Sequence, residues 1–197
     1  MKILAFSDLH LARARADEIV AASRVADLVI GAGDFCTMRK GLAQAMDMLA
    51  GIEVPLVFVP GNNESLDELR RAAPDGAIVL HGDTITLDGV VLFGIGGGIP
   101  VTPFGAWSWD LSEEEAETLL GGADGADVLI SHSPPKGIAD QIAGGLHVGS
   151  TAVHAATERV QPKLLLCGHI HECWGHEGTI GATRVKNLGP TVNWFEI

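Results

Sequence analysis

The sequence predicts an α/β domain, and three features of its 197 residues favour that fold class. Strand-sized apolar runs alternate with stretches of helical periodicity through the first third of the chain. Shorter strands joined by tight turns follow, with Asp88-Gly89 as a hairpin turn between two of them. Polar residues stand directly after several of the apolar runs. A chain of this length is expected to form one domain, spanning residues 1–197, around a sizeable core.

The first third of the chain consists of strand and helix in strict alternation. Apolar runs predict three strands, over residues 3–6, 27–30 and 55–59. The spacing of apolar residues predicts a helix after each strand, over residues 12–25, 41–50 and 65–73. Strands connected by helices in this order form a parallel sheet with the helices packed against it.

The rest of the chain is predicted to contain short strands, two helices and one long loop. The strands are expected over residues 77–80, 85–87, 90–95, 127–130, 163–167, about 173–177, 181–187 and 192–196. Ser112 and Glu115 form a capping box that begins a helix ending at Leu120, and a second helix is expected over residues 151–160. The Gly-, Pro- and Trp-rich residues 94–109 are expected to form a loop over the sheet ends.

Composition and charge exclude several classes of protein. The net charge is −12 and no run of Lys or Arg occurs, so a general nucleic-acid surface is not expected. The apolar runs are too short to span a membrane, and the first residues do not have the pattern of a signal peptide. The three cysteines lack Cys-x-x-Cys spacing, which favours a reducing, cytoplasmic location without disulfides.

Polar residues of metal-ligand type follow five of the predicted strands. An Asp after a single strand is most often a helix cap, but five such ends are difficult to explain as caps. The carboxyl ends of parallel strands meet at one edge of a sheet, so we expect these side chains to lie together. Oxygen and imidazole ligands without thiolate suit Mn²⁺, Fe or Zn²⁺. The candidates are Asp8, His10, Asp34, Asn62, His132, His169 and His171.

The same residues occur in motifs whose order resembles that of the calcineurin-like metallophosphoesterases, particularly the small single-domain bacterial and archaeal phosphodiesterases. The resemblance covers essentially the whole chain, and the combination of motifs is far more specific than any one of them. The motifs are Asp8-Leu9-His10, Gly33-Asp34, Gly61-Asn62-Asn63-Glu64, His132 and Gly168-His169-Ile170-His171.

This resemblance implies a fold, a pair of metals and a reaction. The fold would be a four-layer α/β/β/α sandwich with two mixed sheets. One metal would be held by Asp8, His10 and His171, and the other by Asn62, His132 and His169. Asp34 would bridge two divalent ions, Mn²⁺ being favoured over Fe, Zn, Ni or Mg, and a bridging hydroxide would attack phosphorus.

One departure from the family pattern concerns the leaving group. The family usually has His after the metal-binding Asn, but Asn63 stands there, and an amide cannot give up a proton. Either the leaving group needs little help from an acid, or another residue provides the proton. Asn63 and Asp34 are therefore the candidate catalytic residues, and Asn63 and His147 the candidate contacts to substrate. His147 lies in a glycine-rich loop that resembles a substrate-side loop of the family. Equally, that loop could serve only to cap the next helix through Ser150 or Thr151.

Two features near the site have less specific interpretations. Trp107 and Trp109 could cover a base or aryl group, but packing onto the core or a partner subunit is slightly favoured. Asn187 to Pro190 is expected to shape the edge of the site.

The expected function is hydrolysis of a small phosphate ester by a dinuclear metal site, with phosphodiesters favoured. A phosphomonoesterase or nucleotide hydrolase is the alternative among enzymes, and a non-catalytic scaffold on the same fold is the alternative outside them. The oligomeric state is open, a homo-oligomer being one alternative.

Overall fold

The first third of the chain forms a mainly parallel sheet in this computed structural model, which describes residues 1–197. The order of the strands is β11 (Asn193–Glu196), β1 (Lys2–Phe6), β2 (Leu28–Ala32), β3 (Leu56–Val59) and β4 (Ile78–Val79). Strands β1 to β4 are parallel, and β11 is antiparallel to β1. The elements of this part are β1 (Lys2–Phe6), α1 (Arg13–Ser23), β2 (Leu28–Ala32), α2 (Leu42–Leu49), β3 (Leu56–Val59), α3 (Leu66–Ala72) and β4 (Ile78–Val79).

The remaining strands form a second sheet, apart from β11. Their order is β5-β6-β7-β8-β10-β9, with antiparallel pairs at both edges and parallel strands in the centre. The elements are β5 (Asp83–Leu87), β6 (Val90–Ile95), α4 (Glu113–Leu120), β7 (Val128–Ser131), α5 (Thr151–Val160), β8 (Leu164–Cys167), β9 (Glu177–Ile180), β10 (Thr183–Asn187) and β11 (Asn193–Glu196).

The two sheets pack face to face between two layers of helices. Alternate residues of each strand point to opposite faces, so Ile3 of β1 enters the core between the sheets while Leu4 contacts the helices outside. The helices α1, α2 and α3 cover the outer face of the first sheet. The helices α4 and α5 cover the outer face of the second. This arrangement confirms the α/β class and the four layers with two mixed sheets.

Two predictions about the strands were wrong. The five strand ends do not share one sheet edge: β1, β2 and β3 belong to the first sheet, whereas β7 and β8 belong to the second. The strand expected at residues 173–177 begins only at Glu177, and His171–Cys173 form a 3-10 helix. The chain turns there because Trp174 N–H donates to His171 O, and Gly175 adopts φ +83°.

None of the five helices combines the length and the apolar character that a membrane crossing requires.

Candidate metal centre

Loops after five strands from both sheets converge at one end of the sandwich. The loops after β1 and β2 run side by side, since Asp8 N–H donates to Gly33 O at 2.9 Å and His10 N–H donates to Asp34 O at 3.1 Å. Four of the candidate ligands adopt the left-handed conformation that non-glycine residues normally avoid. They are Asp8 (φ 53°), His10 (φ 43°), Asp34 (φ 59°) and His169 (φ 68°). Backbone strain therefore concentrates at this end of the molecule.

A first group of potential ligands joins the ends of β1 and β8. One ligand atom each from Asp8, His10 and His171 lies within 4.8 Å of the others. The Nε2 atoms of His10 and His171 are 3.2 Å apart, and His171 Nε2 is 3.7 Å from Asp8 Oδ1. His10 Nδ1 donates to Cys36 O at 3.0 Å, which leaves the lone pair of Nε2 directed into the group.

A second group joins the ends of β2, β3, β7 and β8. Ligand atoms of Asp34, His132 and His169 lie within 4.8 Å of one another. Asn62 Oδ1 completes the group, at 3.3 Å from His132 Nε2 and 3.1 Å from His169 Nδ1. Asn62 Nδ2 donates to Ser108 Oγ at 2.9 Å, so its carbonyl oxygen points toward the imidazoles. His132 Nδ1 donates to a carbonyl of β2 at 2.8 Å, which turns Nε2 toward the same point.

Asp34 lies between the two groups. Its Oδ2 is 3.6 Å from His10 Nε2 in the first group, and its Oδ1 is 3.4 Å from His132 Nε2 in the second. Burial would raise the pKa of Asp34, but the nearby imidazoles, His132 above all, lower it well below its usual range. Burial would lower the pKa of His132, but the charge of Asp34 outweighs this effect and raises it to about 9. A fixed negative charge thus stands between imidazoles of both groups.

The spacing of these donors fits divalent cations. A cation about 2.0–2.2 Å from each ligand separates neighbouring ligands by about 3.0–3.5 Å. The separations within the two groups, 3.1 to 3.7 Å, are close to this value. No cysteine belongs to either group, and Cys36 Sγ donates instead to Asn63 O at 3.1 Å. The donors are therefore carboxylate, amide and imidazole, and these candidate groups indicate two divalent metals.

Asn63 contacts Asp34 directly. Its backbone N–H donates to Asp34 Oδ1 at 2.8 Å, and its side-chain Nδ2 donates to Asp34 Oδ2 at 2.6 Å. Its own Oδ1 accepts from Met38 N–H at 2.7 Å. Only the second amide hydrogen remains for substrate, so contact between Asn63 and substrate stays a prediction. What the structure adds is that Asn63 orients the carboxylate between the two groups.

Two residues with positioning roles were not identified from the sequence. Glu64 is fully buried and accepts the N–H groups of Asp34 and Gly61, both at 2.8 Å, so it joins the loops after β2 and β3. Burial and the charge of Asp34 raise the pKa of Glu64 to about 7. Trp174 donates its indole N–H to Asp8 Oδ2 at 3.1 Å. Glu64 is part of the Gly61-to-Glu64 motif, which was a usable signal, whereas nothing in the sequence pattern pointed to Trp174.

The loop that contains His169 and His171 is fixed by Asn187. The Asn187 Nδ2 atom donates to Gly168 O and Ile170 O, both at 3.1 Å. These bonds attach β10 to the end of β8. The role expected for the segment from Asn187 to Pro190, shaping the edge of the site, matches this geometry.

The candidate substrate contacts outside the metal groups, two tryptophans and His147, lie in different places. Trp107 lines the cleft of about 760 Å³ over the two groups and stacks on Phe104 at 5.5 Å between ring centroids. Trp109 instead packs against His81, with 5.0 Å between ring centroids. This contact agrees with the expectation that the residue packs within the protein and does not cover a substrate. His147 does not join either metal group; it lines an adjoining cavity, and its Nδ1 is 2.6 Å from Asp140 Oδ1.

Comparison with known proteins reveals relatives in fold and sequence. Metallophosphoesterase domain-containing protein 1 of Homo sapiens is 29% identical over 143 residues, which are 68% of this chain and 40% of that protein. The chain spans less than half the length of the curated relatives that it matches. The protein TT1561 of Thermus thermophilus has a TM-score of 0.75 at 17% identity, covering 98% of this chain and 97% of that one.

A dimetal phosphatase from Danio rerio shares the fold with a TM-score of 0.64 at 13% identity, covering 96% of this chain and 88% of that one. At such low identity these structures show the fold alone. The sequence itself shows the family, since the calcineurin-like phosphoesterase superfamily domain matches residues 1–195. With that match over nearly its whole length, the chain belongs to the calcineurin-like phosphoesterase superfamily.

Proposed function

We propose that this chain is a dinuclear metal-dependent phosphodiesterase. The main support is Asp34, whose two oxygens face His10 at 3.6 Å and His132 at 3.4 Å on opposite sides. A carboxylate in that position can be shared by two cations. When bound, two divalent ions would neutralise charge on the phosphoryl group and supply an activated water.

Each proposed ion would take ligands from both sheets. Asp34 is the shared ligand, and Mn²⁺ is the proposed metal, with Fe, Zn, Ni and Mg as alternatives, because hard oxygen donors accompany the imidazoles. The first ion would be held by Asp8, His10 and His171. The second would be held by Asn62, His132 and His169.

The chain's own residues favour a small diester over a monoester or a nucleotide. No Lys or Arg lines the cleft over the metal groups, and Glu172 adds a negative charge at its wall. A monoester dianion or a polyphosphate would find no protein cation there, whereas a diester carries a single charge. Met38, Phe104 and Trp107 form an apolar side of the cleft, which can exclude water and contact the organic substituents of a diester.

The proposed location of the protein is the cytoplasm. All three cysteines are free and buried, as expected where thiols stay reduced.

The decisive experiment compares wild type with His169→Ala and the control His176→Ala. His169 contacts Asn62 in the second group, whereas His176 is exposed and lines neither cavity. We expect wild type reloaded with Mn²⁺ to bind two ions per chain and to hydrolyse a chromogenic diester. His169→Ala should keep its fold and lose at least about 10²-fold in rate, since misplaced metal cannot activate water. The control should behave as wild type.

Three other results would reject the proposal in different ways. One metal per fully loaded chain would reject the dinuclear site. Faster hydrolysis of monoesters than of diesters would favour a phosphomonoesterase. Equally slow turnover of diesters and monoesters by wild type and His169→Ala would favour a non-catalytic scaffold.

A further inference from the structure

A second cavity of about 400 Å³ adjoins the cleft over the metal groups. Phe104, Ile142, His169 and Ile170 line both spaces, so the cavity begins beside a candidate ligand of the second metal. Most of its wall is apolar and comes from the segment after β6 and the glycine-rich loop before α5. The apolar residues outside the shared set include Ile99, Pro100, Val101, Pro103 and Val148.

A hydrogen-bonded acid and imidazole stand at the wall of this cavity. His147 Nδ1 is 2.6 Å from Asp140 Oδ1, and Asp140 is fully buried. Asp140 Oδ2 also accepts the N–H groups of Gly137 and Gly149, both at 2.9 Å. Burial would raise the pKa of Asp140, but the bonds from His147 and the two amides lower it. An ionised Asp140 therefore holds the Nδ1 proton of His147 and leaves Nε2 outside that hydrogen bond.

We propose that this cavity is the subsite for an apolar leaving alcohol, aromatic or alkyl, and that His147 Nε2 donates the proton that this alcohol needs. This inference rests on the proposed phosphodiesterase function and assigns the substrate class and the acid of that same site. Asp140 is a positioning residue, since it orients the imidazole without touching substrate.

Elimination among the neighbouring groups leads to His147. The amide of Asn63 has no proton to give, and the imidazoles of the cleft are candidate metal ligands. Within the adjoining cavity, Glu113 is already engaged: it accepts from Ser150 Oγ at 2.8 Å and from two N–H groups at the start of α5. Lys136 also lines the cavity, but an imidazole is the side chain that transfers protons most readily near neutral pH. The side chain of His147 is 44% exposed, so Nε2 is accessible to a bound substrate.

The proposed step balances in atoms and charge. The oxygen of water forms a bond to phosphorus and its surplus proton goes to solvent. The bond from phosphorus to the leaving oxygen breaks, and that oxygen keeps the electron pair. His147 Nε2 gives its proton to the same oxygen, so the product leaves as a neutral alcohol. His147 then takes a proton from solvent.

The test compares His147→Gln with Leu146→Gln on diesters that share one substituent and differ in the leaving alcohol. Gln at 147 can still donate to Asp140 but has no proton to transfer, and Leu146 is an exposed neighbour with 60% of its side chain accessible. We expect His147→Gln to slow single-turnover release of 4-nitrophenol, a good leaving group, much less than release of a poor one. Release of benzyl alcohol should fall about 10²-fold, since a poor leaving group needs the acid. Leu146→Gln should match wild type for both, and bound metal should be the same in all three proteins.

Binding of benzyl alcohol to metal-free protein gives an independent readout. The alcohol should shift the imidazole resonances of His147 and leave those of the exposed His176 unchanged. Val101 lines the cavity and is 64% exposed, so Val101→Asp should fold and should abolish that shift by placing a charge in an apolar site.

The results that overturn the inference differ from those that overturn the proposed function. A wild type that hydrolyses diesters, with His147→Gln slowing every leaving group by one factor or none, would reject His147 as the acid. No shift at His147, or a shift that Val101→Asp leaves intact, would reject the subsite. A wild type that cleaves no diester would reject the phosphodiesterase proposal and this inference with it.

Discussion

Replacement of Gly168 by Ala tests whether the two sheets meet at the site as described. Gly168 follows β8 in the second sheet and lies against the end of β1 in the first. A Cβ atom added there would lie 2.5 Å from both Asp8 Oδ2 and Ser7 Oγ. Ordinary contact begins at 3.4 Å, so the Asp8 carboxylate would have to move by about 0.9 Å. It is not free to do so, because it also accepts from His169 N–H at 3.0 Å and from Trp174 Nε1 at 3.1 Å.

The consequences of Gly168→Ala can be given magnitudes. Forcing an extra methyl into a packed site costs about 1–3 kcal/mol of the free energy of unfolding. Disturbing the groups that orient metal ligands lowers metal affinity about 10- to 100-fold, which corresponds to about 1.4–2.7 kcal/mol of binding free energy. We therefore expect Gly168→Ala to bind Mn²⁺ about 10- to 100-fold more weakly than wild type. Its hydrolysis should be slower than that of wild type when metal is subsaturating.

Competition against a chromogenic chelator measures the affinity, and urea unfolding of metal-free protein measures the stability. Gly122→Ala is the matched control, since a Cβ there meets nothing closer than 3.6 Å and the residue has no positive φ. Wild-type metal affinity in Gly168→Ala would refute the reasoning, because Asp8 could then not lie beside Gly168 as described.

Two further predictions concern residues on the periphery of the site and the second sheet. Trp174→Phe removes the indole donor to Asp8 and should weaken metal binding about 10-fold, measured by competition against a chromogenic chelator. The control Trp194→Phe should bind metal as wild type does. Glu177→Gln should reduce stability at neutral pH, because the hydrogen bond from Arg184 lowers the pKa of Glu177 from 4.5 to about 2. That stability is present above pH 4.5 and is lost as pH falls through about 2, so urea unfolding of wild type and variant should converge only near pH 2. Solvent screening keeps the effect under about 1 kcal/mol.

The sequence predicts which residues stand at the ends of strands, but it does not predict to which of the two sheets each strand belongs. Asp8 and His132 both follow apolar runs, and that local pattern is enough to place each at the end of a strand. Periodicity contains no information on which strands pair. A chain that leaves one sheet through the hairpin of β5 and β6 and begins another has the same local pattern as one that continues the first. The resemblance to a family, and not periodicity, supplied the four layers.

The supporting residues of the site were harder to predict because their partners are distant in sequence. Trp174 and Asp8 are separated by 166 positions, and the hydrogen bond between them depends on the turn after His171. Glu64 accepts the N–H of Asp34, which lies 30 residues earlier in the chain. The Gly61-to-Glu64 motif marks Glu64, but nothing in the sequence identifies the backbone donors that surround its carboxylate. Such contacts follow only from the packing of the two loops.

The division of the site between two sheets explains how its ligands can be held in strained conformations. His10 and His171 present Nε2 atoms 3.2 Å apart, and only one proton can lie between them. Asp8, His10 and Asp34 have unfavourable positive φ values, yet hydrogen bonds between the adjacent loops hold them there. Their positions are maintained by the core between the sheets, which is remote from the cleft. A cation placed among these groups would replace repulsion between facing lone pairs with coordination, so the strain stored in the loops serves to keep the ligands ready for it.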